Sequence, residues 1–244
     1  MSPMLIIAKR EFRSYFDSPL AYVVICLSFL VLGEFFFLVG GGFWQVDRAT
    51  VSRLFELAPY GLAFLVVPVV TMRLVAEERR SGTLEMLITL PVRDSDVILG
   101  KYLGALGMLL VLVLATAIYP LAMFKWPWNL GPLDTGPVFA GYFGLILFSA
   151  ATVAIGLLIS SLTESQAIAF FLTVFVLLAL WLLGRVATFV GGAPGNVLNF
   201  MAFDTRLAGF WRGLIDTRDV VFFLTVTALC LVVAFRALER RKWA

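Results

Sequence analysis

The chain has 244 residues, 61% of them hydrophobic and 14% charged, with a mean hydropathy of +0.97, against the roughly 25% charged residues of a soluble globular protein. Water cannot be the main solvent for such a surface, and a single membrane domain over residues 1–244 is expected. The net charge of +3 comes from 19 basic and 16 acidic residues that flank apolar runs and form no stripe for nucleic acid. Histidine is absent. The two cysteines, Cys26 and Cys230, each sit inside an apolar run and read as packing residues. Zinc or iron sites of the usual His/Cys spacing and histidine-dependent catalysis are therefore excluded, and no catalytic residue is assigned.

In chain order, residues 1–19 predict a helix lying in the inner interface. Leu5, Ala8, Phe12, Tyr15 and Phe16 fall on one arc, and Lys9, Arg10, Arg13, Ser14 and Asp17 on another, before Pro19 turns the chain into the bilayer. Charges follow a short apolar stretch with no small-residue cleavage site, which argues against a cleaved signal peptide. Six runs then approach the ~20 apolar residues needed to cross the hydrocarbon as a helix: 20–39, 57–76, 97–124, 138–160, 167–183 and 220–238. The third is long enough to tilt, or to kink at Pro120, and Pro68 sits similarly inside the second. Between the second and third lies an inner loop, 77–96. Between the fifth and sixth, the outer stretch 184–219 is too apolar for a solvated loop. Its pieces 197–203 and 207–215 predict short helices half sunk in the outer leaflet, separated by Gly191-Gly192-Ala193-Pro194-Gly195 and by Asp204. No internal repeat is visible.

Six spans put both termini on one side, and charge selects which. Of the 19 basic residues, 12 fall in segments assigned to the cytoplasm: Lys9, Arg10, Arg13, Arg73, Arg79, Arg80, Arg93, Lys101, Arg236, Arg240, Arg241 and Lys242. The other 7 lie outside, mostly in the long stretch after the fifth span, where charge counts least towards orientation. Both termini are expected in the cytoplasm.

The strongest local signal is the inner loop, Glu77-Glu78-Arg79-Arg80-Ser81-Gly82-Thr83-Leu84-Glu85-Met86-Leu87-Ile88-Thr89-Leu90-Pro91-Val92. A charge cluster, a glycine break, and Leu84, Leu87 and Ile88 at helical spacing predict a short amphipathic helix that Pro91 ends. It can rest one face on the bundle and offer charges to a cytosolic partner, or it can be a solvated loop whose arginines set topology. Glu34 is the acidic residue well inside a predicted span. It reads either as a pathway or gating residue, or as a carboxyl near the outer interface that is neutralised or paired with an outer-side arginine. Trp126, Trp128, Trp181, Trp211 and Trp243 lie near span ends and read as interface anchors. Gly100 with Gly104, and Ala150 with Ala154, permit close helix contact, within the chain or between chains.

The run from Glu77 to Val92 resembles the signature after the second helix of ABC-2 type permeases, the membrane subunits of type V ABC transporters. A second stretch, Phe203-Asp204-Thr205-Arg206-Leu207-Ala208-Gly209-Phe210-Trp211-Arg212-Gly213-Leu214-Ile215-Asp216-Thr217-Arg218-Asp219-Val220, resembles the segment before helix six in the gliding-motility and nitrous-oxide-reductase-maturation branch. The resemblance implies an all-α polytopic fold with six transmembrane helices, an N-terminal interfacial helix, a cytoplasmic coupling helix and outer half-membrane helices. It implies that Glu77, Glu78, Arg79, Arg80, Gly82, Thr83, Glu85 and Leu87 couple the chain to an ATPase, with Asp204, Phe210, Arg212, Gly213, Asp216 and Asp219 forming the outer half-helix motif. Expected partners are ABC ATPase subunits, a second permease chain, the lipid bilayer and a periplasmic or envelope accessory protein; the expected site is the bacterial inner membrane. The sequence holds no phosphate-cradling G-x-x-x-x-G-K-[ST] loop, since Gly100-Lys101 is followed by Tyr102. ATP and Mg are therefore expected on the partner, with no cofactor on this chain.

Two other classes compete with an exporting permease. Glu77-Glu78 resembles the di-glutamate of CAAX-type intramembrane proteases, but Gly82 stands where those carry arginine and histidine is missing, which excludes that enzyme. A non-transporting subunit that passes mechanical work to an envelope partner stays open.

Overall fold

The computed structural model describes residues 2–37, 52–82, 93–124 and 135–239. The amphipathic stretch after Gly82, with Thr83, Glu85 and Leu87, lies outside the described residues, as do Trp126, Trp128, Trp243 and the Arg240-Arg241-Lys242 tail. All regular structure among the described residues is helical. In order these helices are α1 (Pro3–Asp17), α2 (Pro19–Phe37), α3 (Ser52–Gly61), a π turn (Leu62–Val66), α4 (Val67–Thr71), α5 (Ala76–Arg80), α6 (Asp94–Ala115), α7 (Ile118–Phe124), α8 (Thr135–Leu162), α9 (Gln166–Val190), α10 (Gly192–Met201), α11 (Phe203–Trp211) and α12 (Thr217–Glu239).

Among the described residues, five segments of 23 to 29 residues are long and apolar enough to cross a bilayer: Leu54–Arg80, Asp94–Ala122, Thr135–Leu162, Gln166–Val190 and Thr217–Glu239. A sixth is reached if α1 and α2, which meet at a bend of 71°, are counted together as one broken span. Pro19 is the cause, because the residue before a proline is pushed out of the helical region, and Ser18 is extended at φ −100°, ψ 140°. The chain is thus an all-α, multi-pass membrane protein.

Two prolines shape the long spans. Pro68 cannot donate to the carbonyl of Phe64 and crowds it, and the preceding turn widens to a π turn closed by Val67 N–H to the Leu62 carbonyl. Pro120 acts likewise on Thr116: the third span breaks at Thr116 and Ala117, and the Thr116 carbonyl accepts instead from Tyr119 N at 3.0 Å. The kink therefore falls one turn before the proline. The fifth span runs past Leu183 to Val190, until Gly191 and Gly192 adopt φ of +61° and +62°. The outer helices also divide at Ala202, two residues before Asp204, where polarity alone puts the break, and Asp204 lies in the first turn of α11.

α8 occupies the centre and is buried on nearly all sides, whereas α9 and α12 present most of their surface outward. Its glycines make the centre possible: Gly141, Gly144 and Gly156 admit Phe55, Phe210 and Thr71 where a Cβ would collide. Gly100 and Gly104 work within the chain, seating α1 on α6, and a Cβ on Gly104 would lie 2.6 Å from that of Glu11. Trp181 departs from its expected anchoring role. It is buried at mid-span, 4.6 Å ring to ring from Tyr60, because α9 continues two more turns beyond it.

Candidate functional site

α5 hangs from the foot of the bundle by a break in the second span. The turn Met72–Val75 leaves the first amides of α5 without helical partners, and the Ser160 hydroxyl accepts from both Val75 N and Ala76 N at 3.2 Å. Arg79 donates to the carbonyls of Ser161 (2.9 Å) and Thr163 (3.2 Å), closing the C-terminal end of α8 where a cation is favoured. Leu74 N bonds to Thr71, which leaves the Val70 carbonyl for the Tyr15 hydroxyl at 3.1 Å.

On the opposite side of α5 three helices share one charge network. Lys101 of α6 is 1% exposed, and its ammonium lies 2.7 Å from Glu78 of α5 and 3.0 Å from Glu11 of α1. Arg10 stands 3.5 Å from the same Glu78 oxygen. Removing either kind of partner would strand a desolvated charge. A polar cavity of about 240 Å³ opens beside the trio, lined by Tyr15, Arg73 and Glu77 as well as by the three ionic residues. On α1, Ala8, Phe12, Tyr15 and Phe16 of the expected apolar arc are buried or half-buried and Leu5 is exposed, while Glu11, on neither expected arc, meets the lysine.

The charges expected to face an ATPase therefore divide. Glu78 and Arg79 are spent inside the chain, while Glu77 and Arg80 are exposed. Gly82 adopts φ +70°, the left-handed conformation expected of a turn there. Lys101, Glu11 and Ser160 were not legible as site residues. The available signal was a lone lysine a full turn inside an apolar span, between Gly100 and Tyr102, which reads from sequence as a flank.

At the far end, the outer motif is a packing lock. Phe210 is buried against Gly144, Gly213 takes φ +82° against Pro137, and Asp216 accepts from Arg218 N at 2.8 Å at the start of α12. Asp219 pairs at 2.7 Å with Arg206, a residue the sequence did not single out. That guanidinium lies over Phe200 (4.2 Å) and Phe222 (5.1 Å), tying α10, α11 and α12 together. Asp204 is half-buried, which raises its carboxyl pKa, while Arg185 opposes the shift. Arg212 is exposed. Glu34 is exposed on the outward face of α2, far from the α5 network.

A bundle of apolar spans with a short charged helix clamped beneath it defines a multi-pass membrane protein. The chain belongs to the ABC-2 family of transporter proteins, whose family model matches residues 54–202. It is 34% identical over 122 residues to proteins described as "Probable multidrug ABC transporter permease YbhR" in Escherichia coli strain K12 and in Escherichia coli O157:H7. The match covers 50% of this chain and 32% of each relative, so the chain spans about a third of the curated relatives it matches.

Proposed function

We propose that this chain is a membrane permease subunit of an ABC transporter, working as a pair of copies in the bacterial inner membrane with both ends in the cytoplasm and driven by separate ATPase subunits that hold ATP and Mg. The carrying observation is the clamped α5. One side of it is fixed to α1, α6 and α8 by Glu78 and Arg79, and the other offers Glu77 and Arg80 to the cytosol. A partner pressing on Glu77, Arg80 and the segment beyond Gly82 moves three helices at once, because the buried ionic links resist separation. In this role the chain performs no catalysis of its own.

The reading is an exporter, in keeping with the words "multidrug ABC transporter permease" that describe the relatives. A second reading, a non-transporting subunit that passes work to an envelope partner, is favoured by one feature. The segment 203–220, which resembles the gliding-motility and nitrous-oxide-reductase-maturation branch, is locked as a unit by Arg206 and Asp219 at the outer end.

The test pairs Glu77→Lys with Arg80→Glu. Both variants should keep the wild-type melting temperature and lose capture of the ATPase or stimulated hydrolysis. Wild-type capture and hydrolysis by both variants would remove the coupling role from this helix.

A further inference from the structure

The cavity beside α5 holds two charges that the ionic junction leaves over. Lys101 and Arg10 engage Glu11 and Glu78, whereas Arg73 and Glu77, which also line the cavity, have no ion-pair partner among the described residues. Four residues apart, the two would be neighbours on an unbroken helix. The turn over 72–75 interrupts that helix, and they do not pair. Arg73 Nε is buried without a hydrogen-bond partner, a cost that calls for an acceptor, while Glu77 stands at the exposed rim. The cavity thus presents one unmatched cation and one unmatched anion.

Two hydroxyls on its wall add acceptors. Tyr15 donates to the Val70 carbonyl at 3.1 Å and Ser14 to the Glu11 carbonyl at 2.8 Å, so each oxygen is left to accept. Ser18, also on the wall, is where the chain turns from α1 into the bilayer, and Tyr22 and Val23 just beyond it are exposed. One helical turn rises about 5.4 Å, so a lipid with its headgroup in the cavity lays its acyl chains beside Tyr22 and Val23. At about 30 Å³ for each water-sized group, the 240 Å³ holds about eight. That is room for a phosphate, an ethylene bridge and an ammonium.

We infer that this cavity binds the headgroup of an ethanolamine phospholipid, with the phosphate on Arg73 and the ammonium held by Glu77 and the Tyr15 and Ser14 oxygens. A guanidinium fork suits phosphate oxygens, and an ammonium has the protons that the carboxylate and the two hydroxyl oxygens accept. An anionic glycerol headgroup would satisfy Arg73 but meet Glu77 as a like charge. A choline headgroup matches both charges, yet its methylated nitrogen has no proton to give. The bound lipid would bridge α1 to the helix break that carries α5.

The test uses the full-length chain alone, so its outcome does not depend on coupling to an ATPase. The delipidated protein in detergent is titrated with phosphatidylethanolamine, phosphatidylglycerol and phosphatidylcholine of the same acyl chains, and bound lipid is counted by native mass spectrometry. One phosphatidylethanolamine per chain should be held at least about tenfold more tightly than either of the others. Arg73→Gln should weaken that binding by about tenfold or more and, without lipid, melt no lower than wild type, because its buried unpaired nitrogen is gone. Glu77→Gln should fold normally and lose the preference over phosphatidylglycerol. Equal retention of the three lipids, or wild-type binding by both variants, would overturn the site. A lipid-free Arg73→Gln chain melting well below wild type would show the arginine engaged within the chain and would overturn it too. Displacement of the lipid by equimolar soluble glycerophosphoethanolamine would move the site from a lipid to a soluble ligand; persistence of the lipid supports the assignment.

Discussion

Replacing Lys101 with Met keeps the length of the side chain and removes its charge from between two carboxylates. Because Glu11 and Glu78 lie 3.0 and 2.7 Å from the ammonium, their engaged oxygens are at most 5.7 Å apart, the sum of the two distances. At an effective dielectric of about 20, two unit charges at that separation repel by about 3 kcal/mol, and each lost attraction was about twice as large before desolvation is counted. Desolvation of the ammonium cancels much of the attraction, and the carboxylates, 13% and 20% exposed, keep some water. A net loss of about 3 kcal/mol follows, at the low end for breaking a buried ionic pair. For a chain of this size that corresponds to a fall in Tm of about 6–12 °C. Thermal unfolding of the purified protein in detergent reads it directly. Adding Glu11→Gln and Glu78→Gln should recover most of the loss, since a neutral trio strands no charge. A Lys101→Met variant melting within about 2 °C of wild type, or a triple variant no better than the single, would refute the account of this junction.

Gly104→Val should displace α1 from α6, because even a Cβ there meets Glu11 and the Ala8 carbonyl. A cysteine placed at Phe12 would then react with a water-soluble maleimide much faster than in the unmodified chain, and equal labelling would contradict the seating. Asp204→Asn tests the outer helices through pH. The folded pKa is raised, so the wild-type carboxyl favours the folded state only while protonated, and that contribution is lost as pH rises through the raised value. The asparagine variant should therefore gain in Tm relative to wild type from acid to neutral pH, whereas a difference independent of pH would show that the carboxyl is not held up by burial.

Much of the architecture follows from local rules. Hydrocarbon thickness sets the length of apolar run that spans it, so the spans and their order are legible from composition along the chain. The turn at Pro19 and the glycine turn at Gly82 are legible for the same reason, because each depends on one residue's own backbone. Element ends were less so. The helix through Gly184 to Val190 and the break at Thr116 depend on where the next glycine or proline acts, one or two turns away. The charges of the junction are illegible from the sequence for the same reason of locality. Lys101 looks like a topology-setting flank until α1 is laid across Gly100 and Gly104, which brings Glu11, 90 residues away in sequence, to its ammonium. Glu78 and Arg79 look like a partner surface until α5 is set under α6 and α8, and only the tertiary structure separates them from Glu77 and Arg80. Glu34 is legible as a costly charge in a span, but its outward direction is decided by which face of α2 the rest of the bundle covers. A sequence states the cost of burying each group; which group compensates it depends on distances that exist only after the helices have packed.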